Sequence, residues 1–346
     1  MSNITLKVLA EKLNISKTTV SKALNGYTDI NINTKKKVIE LAKSLNFKPN
    51  TQAAFLRTRT TKVIGVIIPH INHPFFSNIV KGILDSAEKK DYMVMVLKSN
   101  ESYIHEKKLI DKLLRQNVDG IFISLAQNTY ELDHIKKIKN SKTILIQFDK
   151  ISKLIDSSKV VIKDRESAYK ATEHLIKNGC KNIVHIRGQL LPQISVDRFL
   201  GYKQALEDYG IPFDPNKVLM PNYLTDKEGF EVMNEFISKK IKFDGIFSMA
   251  DIALIGAMES LKNHNINVPD DVKTIGFGNW LLTDKLSPSL STISQPGVLM
   301  GRKCFSLFLK ELESKNKKIE FEFEKIIFNT KLIERESSTT IQNNPS

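Results

Sequence analysis

The sequence that decides the fold of the first part of this chain is TLKVLAEKL (residues 5–13), NIS (14–16) and KTTVSKALN (17–25). The segments at residues 5–13 and 17–25 each repeat apolar residues at helical spacing. Two short amphipathic segments joined by a three-residue turn are typical of a helix-turn-helix. The apolar stripe of the first helix consists of Leu6, Leu9, Ala10 and Leu13.

Capping residues support this interpretation. Thr5 and Ser16 each stand where a helix should begin, and their hydroxyls can accept a hydrogen bond from the first turn. Asn14 stands at the turn, and Asn tolerates the left-handed conformation. A third helix is predicted from about Asn31, and it should end near Pro49 because the residue before a proline is pushed out of helical geometry. Its apolar stripe is Val38, Leu41, Ala42 and Leu45.

The second helix of such a module enters the major groove of DNA with its early residues at the base edges. Lys17, Thr18 and Lys22 are the candidates for base contacts. The hydroxyl and amide residues around them are candidates for phosphate contacts: Ser16, Thr19, Ser21, Asn25, Asn31 and Thr34. The alternative is a three-helix bundle that contacts protein, with solvated lysines.

Charge is concentrated at the same end of the chain. Residues 1–62 hold twelve Lys and Arg against three Asp and Glu, which is nine of the fourteen formal net positive charges. The pI is about 9.5. A basic module at one end favours a polyanionic partner, double-stranded DNA in particular.

A short segment, NTQAAFLR (residues 50–57), follows Pro49. It contains helix-forming alanines but is too short to be stable alone. On DNA it could form a helix whose Leu56 enters the minor groove and parts a base step. The alternative is a flexible linker.

Several classes of protein are disfavoured. No apolar run is long enough to span a membrane, and the N-terminus lacks a secretory signal, so we expect a cytoplasmic protein. Cys180 and Cys304 are too few for a disulfide framework or a zinc cluster. The motifs of phosphate loops, nucleophile elbows and HExxH metal sites are missing, so no enzyme activity, metal or cofactor is expected.

From Lys62 onward, apolar strands alternate with amphipathic helices. Strands are predicted at residues 63–69, 92–97, 119–124, 143–148, 183–186, 245–248 and 274–277, with helices near 74–90, 103–116 and 197–209. Near-continuous apolar strands with helical crossovers predict parallel sheets covered on both faces. The fold class is therefore an all-α headpiece followed by an α/β core.

Residues 4–57 resemble the headpiece and hinge of the lactose-repressor (LacI/GalR) family of bacterial transcription regulators. The likeness is carried by Leu6, Ala10, Ile15-Ser16, Thr19-Val20-Ser21, Asn25, residues 34–45, and Pro49-Asn50 through Ala53 and Leu56. It implies DNA contacts at Leu6, Asn50, Ala53 and Leu56 as well. Two residues depart from the family pattern: Asn14 stands where Gly is usual, and Lys22 where Arg is usual.

The core is similar to the two-lobe periplasmic sugar-binding fold of that family. The resemblance implies a headpiece at 1–48, a hinge at 49–61, a core at 62–338 and a polar tail at 339–346. Lobe 1 is expected at about 62–161 and 293–325, and lobe 2 at about 162–290 and 326–338. A ligand would bind between the lobes, at the carboxyl ends of the strands.

The family's effector contacts carry over to a few positions. The resemblance implies aromatic contacts from Phe75 and Phe76, an acceptor at Asp149, a gripping Arg198 and a polar crossover residue, Gln295. The structural alternatives are core aromatics, a turn cap and a surface ion pair.

Two residues depart from the family pattern at positions where relatives often contact a ligand. Ala250 and Gly278 stand where sugar-binding members often have Asn and Asp, which argues against carrying over a known hexose or purine specificity. The candidate replacement contacts are Asn279, Trp280, His73 and Tyr223.

Together these features predict a homodimeric regulator that binds a pseudo-palindromic operator and responds to a small-molecule effector, with repression as the family default. The tail after Glu336 lacks leucine heptads, so a tetramerising coil is not expected. Two alternatives stay open: a core that only dimerises or binds a protein partner, and a solute-binding protein, which would require a signal peptide.

Overall fold

The computed structural model describes residues 4–24, 26–47 and 60–339. The chain divides into two compact units, Met1–Thr61 and Lys62–Ser346.

The first unit contains three helices: α1 (Leu6–Leu13), α2 (Lys17–Leu24) and α3 (Ile32–Ser44). The predicted caps at Thr5 and Ser16 are present, and Asn31 adds a cap to α3 that was not predicted. Thr5 accepts a hydrogen bond from the backbone N–H of Val8, and Asn31 accepts one from that of Asn33. Asn14 adopts the left-handed conformation, φ 51° and ψ 42°, and ends α1.

The helical unit has a small core. Its buried residues are Leu9, Ala10, Val20, Ala23, Val38 and Ala42, with the other apolar residues of the three stripes partly buried around them. The stripes therefore meet as the sequence pattern predicts, because each helix buries the one face on which its apolar residues recur.

In the second unit, the first lobe is a parallel sheet of six strands in the order β11-β5-β4-β3-β1-β2. The strands are β1 (Val63–Ile68), β2 (Met93–Lys98), β3 (Gly120–Ile123), β4 (Ile144–Phe148), β5 (Ser158–Ile162) and β11 (Lys325–Phe328). Its helices are α4 (Pro74–Glu88), α5 (Tyr103–Arg115), α6 (Asp133–Lys139) and α11 (Gly297–Lys317).

The second lobe is a sheet in the order β12-β10-β9-β8-β6-β7, parallel except for β12. Its strands are β6 (Ile183–Ile186), β7 (Val218–Leu219), β8 (Gly245–Ser248), β9 (Lys273–Phe277), β10 (Ser291–Ser294) and β12 (Lys331–Ile333). Its helices are α7 (Asp164–Lys177), α8 (Gln193–Asp208), α9 (Asp226–Ser238) and α10 (Asp251–Asn263). The predicted α/β class with parallel sheets is confirmed.

The strand pairing shifts the approximate lobe boundaries by a few residues at three crossings. β5 runs to Ile162, which belongs to lobe 1. The whole of β10 pairs with β9 in lobe 2, and β11 pairs with β5 in lobe 1 up to Phe328. Lobe 1 therefore takes residues 325–328, and lobe 2 keeps residues 291–294. Short strands at a crossing have no composition that assigns them to one sheet, so only the pairing decides.

Local elements also differ from the prediction. α8 begins at Gln193 rather than near 197, and ten elements were not predicted: β5, β7, β10, β11, β12, α6, α7, α9, α10 and α11. Pro192 precedes α8 and is compatible with the start of a helix.

Both cysteines are buried and unpaired, as the sequence predicts for small apolar residues. Within the described ranges, no helix is both long enough and apolar enough to cross a membrane. In the same ranges, no group of three or more His, Cys, Asp or Glu side chains is placed to hold a metal ion.

Candidate functional site

The amino end of α2 presents the residues that the sequence assigns to base contacts. Lys17 and Thr18 are exposed in the first turn. Ser16 caps the helix, because its Oγ accepts a hydrogen bond from the Thr19 N–H at 3.0 Å and lies 2.9 Å from Thr19 Oγ1. Ser16 and Thr19 are therefore hydrogen-bonded to each other, whereas Lys17 and Thr18 are exposed to solvent.

Lys22 is placed differently from Lys17. It lies at the other end of α2 and pairs with Asp29, whose carboxyl pKa is held below its usual value by that hydrogen bond. This exposed pair is a weak competitor for a DNA contact by Lys22. The sequence pattern of the helix does not show it, because Asp29 is seven residues away.

The remaining predicted contacts are distributed unevenly. Leu6 is half-buried and packs on the core of the helical unit, so its first role is structural. Asn31 is exposed and caps α3, while Ser21 and Thr34 are half-buried. Asn25, Asn50, Ala53 and Leu56 lie outside the described residues.

A cleft of about 470 Å³ lies between the lobes of the second unit. Segments from both lobes line it, at the carboxyl ends of β1, β4, β6, β8 and β9. All five effector contacts that the resemblance carries over line this cleft, whereas one of the four candidate replacement contacts, Asn279, does not. The five are Phe75, Phe76, Asp149, Arg198 and Gln295.

Phe75 and Phe76 begin α4 and are both buried, with their ring centroids 5.3 Å apart. Phe76 also contacts the ring of His73 in an edge-to-face arrangement at 5.5 Å. Both phenylalanines belong to the core of lobe 1 as well as to the cleft wall. The core alternative raised by the sequence is therefore confirmed, and a contact of these rings with a ligand stays a prediction.

Asp149 follows β4 in the left-handed conformation, φ 58°. It is buried, and its carboxylate accepts a hydrogen bond from Ser124 Oγ at 3.0 Å. Burial raises the pKa of Asp149, while the nearby Lys150 and Arg198 oppose the shift. Asp149 is thus an acceptor fixed in a desolvated wall and not an exposed turn cap.

Arg198 lies in α8 and is 4% exposed. Its Nε donates to Asp164 at 2.8 Å, its Nη1 donates to the Met249 carbonyl at 3.0 Å, and its guanidinium carbon lies 3.7 Å from the Phe277 ring centroid. Burial raises the pKa of Asp164 to about 6, and Arg198 opposes that rise. Arg198 is a buried ion pair and not a surface one, so the sequence alternative is wrong.

Two buried polar atoms of cleft-lining side chains have no hydrogen-bond partner. They are Nδ1 of His73 and Oε1 of Gln295. Burial lowers the pKa of His73 to about 4, so its ring is neutral near pH 7. Buried polar groups without partners are rare in native proteins and indicate a missing partner such as water or a ligand.

The lobe 2 wall is formed by Asp251 and the loop after β9. Asp251 accepts hydrogen bonds from Thr292 Oγ1 at 2.7 Å and from the Trp280 N–H at 2.8 Å. Gly278 has φ +132°, a conformation that residues with a side chain rarely adopt. The glycine at this position is therefore required by the loop, in addition to lacking an acceptor.

Asn279 is the predicted effector residue that does not line the cleft. Its side-chain oxygen accepts a hydrogen bond from Arg335 at 3.0 Å. The prediction for Asn279 is not supported by this placement, because Arg335 comes from the far end of the chain and turns the amide away. Trp280, Tyr223 and His73 do line the cleft.

Two residues that line the entrance of the cleft, Gln127 and Glu101, were not predicted from the sequence. Gln127 lines the cleft and donates from Nε2 to the Asn222 carbonyl at 3.2 Å, which joins lobe 1 to lobe 2. Glu101 accepts from the Gln127 N–H at 2.7 Å and pairs with Lys150. Lys150 directly follows Asp149 in the sequence, and this was the available signal. No sequence pattern relates Lys150 to Glu101, which lies 49 residues earlier.

The two units together define a class of protein: a regulator with a helix-turn-helix and a two-lobe ligand-binding core. A family model for bacterial regulatory proteins of the lacI family matches residues 5–50, and one for periplasmic binding proteins and the sugar-binding domain of the LacI family matches residues 61–333. The chain belongs to the LacI family.

Individual relatives agree. The HTH-type transcriptional regulator RegA of Clostridium saccharobutylicum is 31% identical over 335 residues, which cover 96% of this chain and 98% of that protein. Among solved structures, the lac repressor dimer bound to operator and the anti-inducer ONPF matches with a TM-score of 0.84 at 20% identity, covering 98% of this chain and all of that one. The complex of the transcriptional regulator CelR with cellobiose matches with a TM-score of 0.73 at 23% identity, over 96% and 99%. The chain is therefore a DNA-binding transcriptional regulator, and its matched relatives are regulators, not enzymes.

Proposed function

We propose that this regulator binds a pseudo-palindromic operator as a cytoplasmic homodimer and that a neutral carbohydrate in the inter-lobe cleft controls its affinity for DNA. The observation that carries the proposal is the cleft itself. Aromatic rings, a buried acceptor and a buried arginine converge there from two lobes. A ligand held from both sides stabilises one lobe angle, and operator affinity then follows the population of that state.

The charges of the cleft support a neutral ligand. Arg198 is already matched by Asp164, and Lys150 by Glu101. Asp149 adds a further carboxylate. An anionic ligand would have to displace one of these buried pairs, which is costly in a desolvated site.

The remaining groups suit hydroxyls and a sugar face. Asp149, Gln295 and His73 offer hydrogen-bonding atoms, while Phe75 and Phe76 offer rings. A similar regulator, CelR, was solved with cellobiose. A volume of about 470 Å³ lies within the ordinary range of small-molecule sites.

One observation favours the second candidate, a core that dimerises or binds a protein without a small-molecule effector. In the lobe 2 wall, both oxygens of Asp251 are engaged by the protein, and Ala250 and Gly278 supply no polar side chain. In lobe 2 a ligand would then have to find its polar partners among other lining residues, such as Arg198, Tyr223 and Asp226.

The test begins with the full-length protein and a random duplex library. Repeated selection should enrich a pseudo-palindromic site, and fluorescence anisotropy should then give the affinity for that site with and without sugars. The panel should include cellobiose, ribose and other neutral mono- and disaccharides. We expect at least one of them to change DNA affinity by about tenfold, the size of an ordinary coupling free energy.

Asp149→Asn provides the matched test of the cleft, because it keeps the shape and removes the charge. It should abolish the sugar response while leaving sugar-free DNA affinity unchanged. The control is Asp156→Asn in the same lobe, an exposed residue that pairs with Lys139 at 2.8 Å. A full panel without calorimetric binding or any change in DNA affinity would contradict ligand control and favour the second candidate.

A further inference from the structure

Arg335, just after β12, holds a loop that begins more than fifty residues earlier. Its Nη1 donates to the Leu290 carbonyl at 2.6 Å and to Thr283 Oγ1 at 3.3 Å. Its Nη2 donates to Asn279 Oδ1 at 3.0 Å. One guanidinium therefore spans the loop between β9 and β10 from its beginning to its end.

The residues after Arg335 anchor it to lobe 2. Glu336 accepts hydrogen bonds from the Ser289 N–H and hydroxyl at 2.8 and 2.9 Å. Ser337 donates to the Thr274 carbonyl at 2.8 Å, and Ser338 lies within hydrogen-bond distance of His174. The segment is thus fixed to the sheet and to α7, so Arg335 approaches the loop from a rigid base.

The loop that Arg335 spans forms part of the cleft wall. Gly278 and Trp280 line the cleft, and the Trp280 N–H donates to the Asp251 carboxylate at 2.8 Å. Arg335 also favours the ionised form of Asp251, whose pKa burial raises to about 6. The guanidinium therefore acts on both partners of the hydrogen bond that closes this wall.

We propose that Arg335 is a positioning residue for ligand recognition, which sets the place of Trp280 and Gly278 in the cleft by holding Asn279, Thr283 and the Leu290 carbonyl. The proposal rests on the proposed function in one respect, namely that the cleft receives a ligand. Arg335 does not line the cleft, so its effect on a ligand passes through the loop.

A surface arginine of the same lobe offers a matched comparison. Arg165 donates to Gln204 Oε1 at 2.6 Å and is exposed. Arg165→Gln removes the same chemical contact, a guanidinium on a carboxamide oxygen, without touching the loop. If the loss of any arginine contact in lobe 2 were enough to produce the effect, both variants would show it.

The experiment uses the full-length protein without ligand. Hydrogen–deuterium exchange should be followed for peptides within residues 278–286, which include the Trp280 amide. Arg335→Gln should speed their exchange by about tenfold, since two or three modest hydrogen bonds are lost. Exchange in β8 and β6 should stay the same, and Arg165→Gln should behave as the unmodified protein.

Fluorescence gives a second readout of the same loop. Trp280 is the only tryptophan, so emission and acrylamide quenching report on this loop alone. Quenching should increase in Arg335→Gln. Arg335→Lys should fall between the two, because it keeps the charge near Asp251 and loses the fork geometry.

Asn279→Ala tests the route of the effect. It should raise exchange in the loop on its own, and the double variant with Arg335→Gln should show less than the product of the two single effects. Full multiplication of the effects would contradict a shared contact. A uniform rise of exchange across lobe 2 would show a merely structural role, and unchanged exchange with unchanged quenching would overturn the positioning role.

Calorimetry with cellobiose and ribose completes the test. A sugar that binds the unmodified protein should bind Arg335→Gln about tenfold more weakly and Arg165→Gln equally well. Equal affinity in Arg335→Gln would overturn the link from the loop to recognition. Failure of both sugars to bind any variant would count against the proposed sugar control, while the exchange and quenching results would still decide whether Arg335 positions the loop.

Discussion

The helical unit and the two-lobe unit place their candidate functional side chains in opposite environments. Lys17 and Thr18 stand exposed on a helix end, whereas Arg198 and Asp149 are 4% and 7% exposed in the cleft. Exposed cations act on DNA through a field that salt screens, and buried groups act through short hydrogen bonds that salt hardly reaches. One chain therefore uses charge in two physically separate ways.

The two units should differ most clearly in how strongly their binding depends on salt concentration. Between about 50 and 200 mM salt, DNA affinity should fall by about a thousandfold if the dimer neutralises six or more phosphates. Binding of any sugar that the panel identifies should change by less than about twofold, because its partners are buried. Anisotropy and calorimetry in the same buffers would measure both, and a flat DNA response would remove the distinction between the units.

A second prediction concerns the hinge segment, where sequence and family resemblance assign Leu56 to the minor groove. Leu56→Ala should weaken binding to the selected site by on the order of a hundredfold, because without the wedge the duplex is no longer held in its kinked form. Binding to random duplex should change far less. Equal losses on both duplexes, measured by anisotropy, would contradict the wedge role.

A third prediction refines the assignment of base contacts within α2. Lys17→Ala should cost about tenfold on the selected site and relax its sequence preference at one position in each half-site. The control is Lys43→Ala, an exposed lysine in the last turn of α3. Repeated selection with each variant measures the preference, and an unchanged preference for Lys17→Ala would assign it to phosphate instead.

The weakest predicted effect concerns a partly buried carboxyl group. Glu311 in α11 has a buried Oε2 with no hydrogen-bond partner, and burial raises its pKa to about 7. Because the folded pKa lies above the usual value of 4.5, the stability it contributes is present at low pH and is lost as pH rises through 7.

Glu311→Gln mimics the neutral acid and tests this point. The variant should match the unmodified protein at pH 5 and exceed it at pH 8 by about 1 kcal/mol, a value reduced because the side chain is only partly buried. Urea unfolding at both pH values measures the difference. A constant difference would show that titration of Glu311 is not its cause.

The helical unit and the two-lobe core also differ in how much of their structure the sequence predicted. In the helical unit, caps at Thr5 and Ser16 and the turn at Asn14 were predicted because each depends on neighbours within four residues. The exception is Lys22, whose partner Asp29 is seven residues away.

In the core, most strands were predicted by their apolar runs, and the resemblance placed five cleft residues correctly in the lining. The errors have one cause. Asn279 is missing from the lining because Arg335 turns it away, and the lobe boundaries shift by a few residues because β10 and β11 are assigned by pairing alone. Gln127 and Asp164 were missed because their partners Asn222 and Arg198 come from distant segments.

The amino-acid sequence was enough to predict a helix-turn-helix, an α/β core and a family. These follow from periodicity, caps and local motifs, which are short-range properties of a chain. The folded structure was needed to establish which charges are buried in pairs, which buried polar atoms of the described cleft residues lack a hydrogen-bond partner, and which guanidinium spans the loop at the cleft wall. Those depend on contacts between segments tens to hundreds of residues apart, and burial makes each such contact strong enough to redirect a side chain.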